Sequence, residues 1–120
     1  MKVLLLEDEP AVVNYRIAIL KRYEPSIEID SVENGDDALR LYLEMGPYDL
    51  VITDHGHPGL FGIELIDKIR AVNSAQAVIL QTGNYGDHID AFQQKYKDIP
   101  LLSKGYRSKD LESLVDRLKP

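Results

Sequence analysis

Five short apolar runs recur along the chain, each cut off by polar or glycine residues and each followed by a stretch with helical spacing. They are Val3-Leu-Leu-Leu6, Ile27-Glu-Ile-Asp-Ser31, Tyr48-Asp-Leu-Val-Ile-Thr-Asp54, Ala77-Val-Ile-Leu-Gln81 and Pro100-Leu-Leu-Ser103. Runs of this length bounded by turn residues read as strands. Regular strand–helix alternation implies a parallel sheet covered by helices on both faces and joined by right-handed crossovers. All five strand ends then point to one rim, where open parallel sheets bind their ligands.

The intervening stretches carry the helix signals. Pro10 opens a helix to about Tyr23, with Asp8 or Glu9 placed to cap its free amides. Val12, Val13, Ile17, Ile19 and Leu20 form its apolar face. Asn34-Gly-Asp-Asp37 starts a second helix, in which Ala38, Leu41, Tyr42 and Met45 recur at i, i+3, i+4, i+7. Ile63, Leu65, Ile66, Ile69 and Val72 mark a third from about Gly62, and Ile89, Phe92 and Tyr96 carry a weaker fourth. Leu111, Leu114, Val115 and Leu118 give a last helix after Ser108. The second run alternates apolar and charged residues, so it is expected at a sheet edge.

The expected class is therefore α/β, one domain over residues 1–120, with no linker, repeat or effector domain. The net charge of −6 argues against a nucleic-acid surface covering the whole domain. Acids crowd the first half: residues 1–60 hold 12 Asp/Glu against 5 Lys/Arg. The chain has no cysteine, which excludes disulfides and thiolate metal sites. Its start does not resemble a signal peptide, since acids follow only four apolar residues, and no segment reaches membrane-span length. A cytoplasmic protein is the expectation.

Glu7, Asp8, Asp54, Thr82 and Lys104 each stand at or just past a strand end. Three carboxylates on one rim repel, so without compensation at least one has its pKa raised. A divalent cation resolves this, and Mg²⁺ suits Asp8, Asp54 and a backbone carbonyl such as that of Gly56. Asp54 is a possible nucleophile toward phosphorus, with Lys104 to neutralise charge and Thr82 to donate to a phosphoryl oxygen. Singly, each residue has a plainer role: Asp54, Glu7 or Asp8 as a cap or turn former, Thr82 as a strand exit, Lys104 as a solvated lysine. The ordered set favours the chemical role.

Leu6-Glu-Asp-Glu-Pro10, Val51-Ile-Thr-Asp54 with Pro58 and Gly62, Leu80-Gln-Thr-Gly83 and Leu102-Ser-Lys104 resemble the motif blocks of the response-regulator receiver domain of two-component signalling. The resemblance implies a flavodoxin-like (βα)5 three-layer sandwich with strand order 2-1-3-4-5. It implies that Asp54 takes a phosphoryl group from a sensor histidine kinase or phosphotransfer protein, and that Glu7, Asp8 and Asp54 hold Mg²⁺ with the Gly56 carbonyl. Thr82 would follow the phosphate as a switch, Lys104 would pair with it, and the output would be an unnamed downstream protein target, without direct nucleic-acid or membrane contact. Beyond assisting its own phosphorylation and dephosphorylation, such a domain is not an enzyme.

The sequence departs from the family pattern in four respects. Glu7 stands where Asp is more usual, and Gly105 replaces the proline that commonly follows the lysine, which points to a trans Lys104–Gly105 bond because a non-proline cis bond costs about 2.5–4 kcal/mol. Leu101 replaces the usual switching aromatic. Gly56 and Asn84 occupy the positions that tune phosphoryl lifetime. Gly105 and Leu101 motivate a second hypothesis, a receiver-like interaction module acting independently of phosphorylation, against which the intact set of acids, Thr82 and Lys104 counts. A phosphatase with an aspartyl-phosphate intermediate is disfavoured, because Gly56 occupies the position of its acid–base Asp. His55 and His57 beside Asp54 could suggest a zinc or iron site, but without a third His or Cys in evident reach an exposed loop is the better reading. Tyr85, Tyr106 and Arg107 are candidates for a partner surface, aromatic residues and Arg being enriched there.

Overall fold

The structure, a computed structural model, describes residues 1–55, 62–83, 87–103 and 105–120, and of Asp87 and His88 the backbone only. Elements alternate as β1 (Lys2–Leu6), α1 (Pro10–Tyr23), β2 (Glu28–Val32), α2 (Gly35–Met45), β3 (Leu50–Asp54), α3 (Gly62–Val72), β4 (Val78–Thr82), α4 (Asp87–Lys95), β5 (Leu101–Ser103) and α5 (Ser108–Leu118). Among the described residues the strands form one parallel sheet in the order β2-β1-β3-β4-β5. β3 is therefore central and β2 an edge, as the sequence implied.

Alternation along the strands divides the core in two. Leu4, Leu6, Val51, Val78 and Leu80 pack with Ala38, Tyr42, Leu65, Ile66, Ile69 and Phe92 from α2, α3 and α4. Val3, Leu5, Leu50, Ile52, Ile79 and Leu102 pack with Ile19, Leu20, Leu111 and Val115 from α1 and α5. Such two-faced burial is why β1, β3 and β4 read as near-continuous apolar runs. At about 25 cal/mol per Å² of apolar surface, these two layers supply the main stabilisation.

The helix starts differ in how they are held. At α2 the Asn34 side chain accepts from the Asp37 amide at 2.9 Å, as its sequence position suggests. At α1 the expected side-chain cap is not formed. Pro10 occupies the first turn, but the N-cap residue Glu9 makes no capping hydrogen bond with its side chain. Asp8 instead joins Glu7 at the rim, while a Glu7 carboxylate oxygen accepts from the Glu9 amide at 3.4 Å.

Two residues that keep the helical apolar spacing are nonetheless exposed, Met45 (55%) and Val72 (63%). Both are the last residues of their helices, where the helix has run past the sheet it covers. Conversely, Arg16 lies on the inner face of α1 and is 1% exposed. No helix of the described residues is long and apolar enough to cross a membrane.

Candidate functional site: an acidic cluster with a buried arginine

Strand register assembles the site. Leu6 pairs with Thr53, Asp54 with Gln81, and Thr82 with Ser103. Glu7 and Asp8, immediately after Leu6, therefore arrive beside Asp54 at the carboxyl rim. One carboxylate oxygen from each of Glu7, Asp8 and Asp54 lies within 4.8 Å of the others. Asp8 is exposed, Asp54 partly buried and Glu7 only 2% exposed.

Local geometry fixes Asp54. Its Oδ1 accepts from the His55 amide at 2.9 Å, and its carbonyl accepts from the Thr53 hydroxyl at 2.9 Å. Behind it the start of α3 comes very close: a Cβ on Gly62 would lie 2.5 Å from the Asp54 carbonyl oxygen. Only glycine allows that approach. The Gly62 amide donates to the His55 carbonyl at 3.3 Å. Thr82, 3% exposed, ends β4.

The raised pKa expected among these acids falls on Glu7. Burial pushes its pKa up to about 7, and the neighbouring Asp54 charge and a hydrogen bond shared with Asp54 push the same way, against the opposing pull of Arg16.

Arg16 was not among the residues the sequence reading selected. Its Nη1 lies 3.5 Å from Glu7 Oε2, its Nη2 donates to Gln81 Oε1 at 2.8 Å, and its Nε donates to the Tyr106 hydroxyl at 3.2 Å. Helical phase carried the signal: Arg16 is four residues after Val12 and three and four before Ile19 and Leu20, on the stripe that faces the sheet. Strand parity carried the other half. Glu7 follows Val3 and Leu5, Asp54 follows Leu50 and Ile52, and Gln81 follows Ile79, all on the face covered by α1 and α5.

The segment after β5 completes the arrangement. Gly105 has φ +83°, a conformation suited to glycine and closed to proline, whose ring fixes φ near −65°. Tyr106 then packs against Arg16 and Tyr15, its ring centroid 6.1 Å from that of Tyr15. A cavity of about 300 Å³ opens here, lined by Glu9, Val12, Tyr15, Arg16 and Tyr106 and continuous with Glu7 and Asp54. Leu101 is partly buried against the side of the core formed by α2, α3 and α4, away from this cavity. Lys104, Gly56, His57, Pro58, Asn84 and Tyr85 lie outside the described residues, and so does the Lys104–Gly105 bond.

A parallel (βα)5 sheet whose central strand ends in a carboxylate, with two more just past the end of β1, is the arrangement of a class of phosphoryl-accepting signalling domains. The chain belongs to the response regulator receiver domain family, whose model matches residues 3–116. Among curated proteins it is 29% identical to the transcriptional regulatory protein LytR of Staphylococcus aureus over 119 residues, covering 99% of this chain and 47% of that protein. It is 27% identical to the rice two-component response regulator ORR42 over 99 residues, covering 82% of this chain and 74% of the relative. The chain thus spans under half of the staphylococcal regulator. Among solved structures, the response regulator TrrA of Thermotoga maritima, in complex with Mg²⁺-BeF, superposes with a TM-score of 0.81 at 30% identity, covering 98% and 97% of the two chains.

Proposed function

We propose that Asp54 is the phosphoacceptor of this receiver domain, taking its phosphoryl group from the phosphohistidine of a sensor kinase or phosphotransfer protein in the cytoplasm. The observation that carries this is the convergence of the Glu7, Asp8 and Asp54 carboxylates within 4.8 Å at the end of the central strand. An Asp54 carboxylate oxygen attacks phosphorus in line. A P–O bond forms as the P–N bond breaks, and the imidazole leaves and takes up a proton from water.

The donor set fits Mg²⁺. Three oxygen donors converge, Glu7 Oε2 is buried without a hydrogen-bond partner among the described residues, and Glu7 is driven toward protonation. Glu7, Asp8, Asp54 and the Gly56 carbonyl are the proposed ligands. When bound, Mg²⁺ neutralises charge on the transferring phosphoryl oxygens. Thr82, at the end of β4, is the proposed donor to a phosphoryl oxygen, and Lys104, just past β5, its proposed cationic partner.

Phosphorylation then shifts the balance of two conformations and with it the affinity for a downstream protein. The test is intact mass after incubation with a small phosphodonor and Mg²⁺. One phosphoryl adduct is expected on the wild type and none on Asp54→Asn. An adduct that survives the substitution rejects Asp54 as acceptor.

A second reading, docking independent of phosphorylation, draws on Arg16, a cation already built into the acidic site. It requires equal partner affinity for wild type and Asp54→Ala, whereas the phosphoacceptor reading requires the wild type's affinity to change on phosphorylation and the variant's to stay fixed.

A further inference from the structure

Arg16 is the one buried cation among the described residues, and its guanidinium touches three elements at once. Nη1 faces Glu7 at the end of β1, Nη2 is bonded to Gln81 on β4, and Nε is bonded to Tyr106 between β5 and α5. The three tethers are not equal. The bonds to Gln81 and Tyr106 have hydrogen-bond geometry, at 2.8 and 3.2 Å. The Glu7 contact does not: at 3.5 Å it is an ion pair alone, and both Arg16 Nη1 and Glu7 Oε2 lack a hydrogen-bond partner among the described residues. Buried polar atoms without a hydrogen bond are rare and costly, so a new partner for either one is favoured.

We propose that Arg16 is a positioning residue that ties the occupancy of the acidic cluster to Tyr106, so that the surface formed by α1 and Tyr106 reports what happens at Asp54. The inference rests on the phosphoacceptor reading above and names the surface it acts through. A cation that draws on Glu7 Oε2 competes with Arg16 for the same oxygen. Arg16 keeps its firmer bonds to Gln81 and Tyr106, so a shift of the guanidinium moves the Tyr106 phenol with it.

The surrounding structure suits this role. Tyr106 sits against Tyr15, which is 48% exposed, so a small movement of the phenol changes an accessible aromatic pair at the mouth of the cavity. The positive φ of Gly105 places the phenol where Nε reaches it. Leu101, on the other face of the sheet, has neither ring nor hydroxyl for such a contact.

Lysine separates geometry from charge. Arg16→Lys keeps the positive charge but cannot span Glu7, Gln81 and Tyr106 with one ammonium group. The protein is labelled with 3-fluorotyrosine and its fluorine spectrum recorded during a Mg²⁺ titration, with Tyr23 as internal reference. Binding of Mg²⁺ is measured in parallel by calorimetry. In the wild type the Tyr106 resonance is expected to move saturably with the calorimetric midpoint. In Arg16→Lys, Mg²⁺ still binds but more than half of that movement is lost.

Tyr106→Phe, which removes only the hydroxyl, covers the case in which the lysine variant fails to fold. In it the Gln81 side-chain amide is expected to keep its response to Mg²⁺, while the Tyr15 resonance loses it. A Tyr106 response in Arg16→Lys equal to the wild type overturns the proposal, as does a wild-type Tyr106 that ignores bound Mg²⁺. Because the readout is Mg²⁺ binding without a phosphodonor, a failure here is distinct from a failure of Asp54 to be modified.

Discussion

Glu7 is where the chemistry of this site is most exposed to measurement. Its carboxyl has a pKa near 7 in the fold, against 4.5 ordinarily. Between those values the folded state binds more protons than the unfolded chain, so with chelator present stability is greatest at low pH and falls as pH rises through 7. Burial is the larger cause of that loss and the Asp54 charge the next. Glu7→Gln is predicted to remove most of this slope, read as urea unfolding midpoints between pH 5 and 8. The comparison is of slopes, because the variant also deprives Arg16 of its counter-charge. Identical slopes in the two proteins would show that Glu7 is not the titrating group.

At the scale of elements, the site depends on how closely α3 starts behind β3. Gly62→Ala puts a methyl group 2.5 Å from the Asp54 carbonyl oxygen, and backbone must move to admit it. A loss of about 1–3 kcal/mol is expected, the range of an overpacked site, accompanied by slower phosphorylation because the displaced segment carries Asp54. Asn34→Ala is the matched control. It removes the α2 cap, at a cost of about 1 kcal/mol, without touching the contact between Gly62 and the Asp54 carbonyl, and phosphorylation is predicted to proceed at the wild-type rate. If both variants lost stability and neither lost rate, the α3 start would be structural only. Thermal unfolding and phosphorylation time courses decide this together.

The same elements show what was legible beforehand. β1, β3 and β4 are buried on both faces, so their apolar runs announced them, and the alternating β2 announced an edge. The convergence of Glu7, Asp8 and Asp54 was legible because strand ends meet at one rim in any parallel sheet. Met45 and Val72 keep the apolar spacing yet lie exposed, because helical periodicity gives a face and not the point where the helix outruns its partner. The α1 cap was misassigned because the Glu7 and Asp8 carboxylates are drawn into the rim cluster. Arg16 was overlooked because a charge on an apolar stripe looks like an interruption. Only strand parity shows that Glu7 and Gln81 wait on the face it enters.

Taken whole, the molecule places two polar features on opposite sides of one sheet: Thr82 continues the parity of Val78 and Leu80, toward α3 and α4, whereas Glu7, Asp54 and Gln81 turn toward α1 and α5. The proposed roles of Thr82 and Arg16 thus lie on opposite faces of the sheet. The central claim beneath both is that Asp54 and its neighbouring acids act as one cation-dependent phosphoacceptor. The initial rate of adduct formation from a small phosphodonor, measured by intact mass against Mg²⁺ concentration for wild type and Asp8→Asn, tests it most directly. The account predicts a saturable Mg²⁺ dependence in the wild type, displaced to higher Mg²⁺ in Asp8→Asn, and no adduct in chelator. Equal rates in Mg²⁺ and in chelator, or the same Mg²⁺ dependence in both proteins, would contradict it.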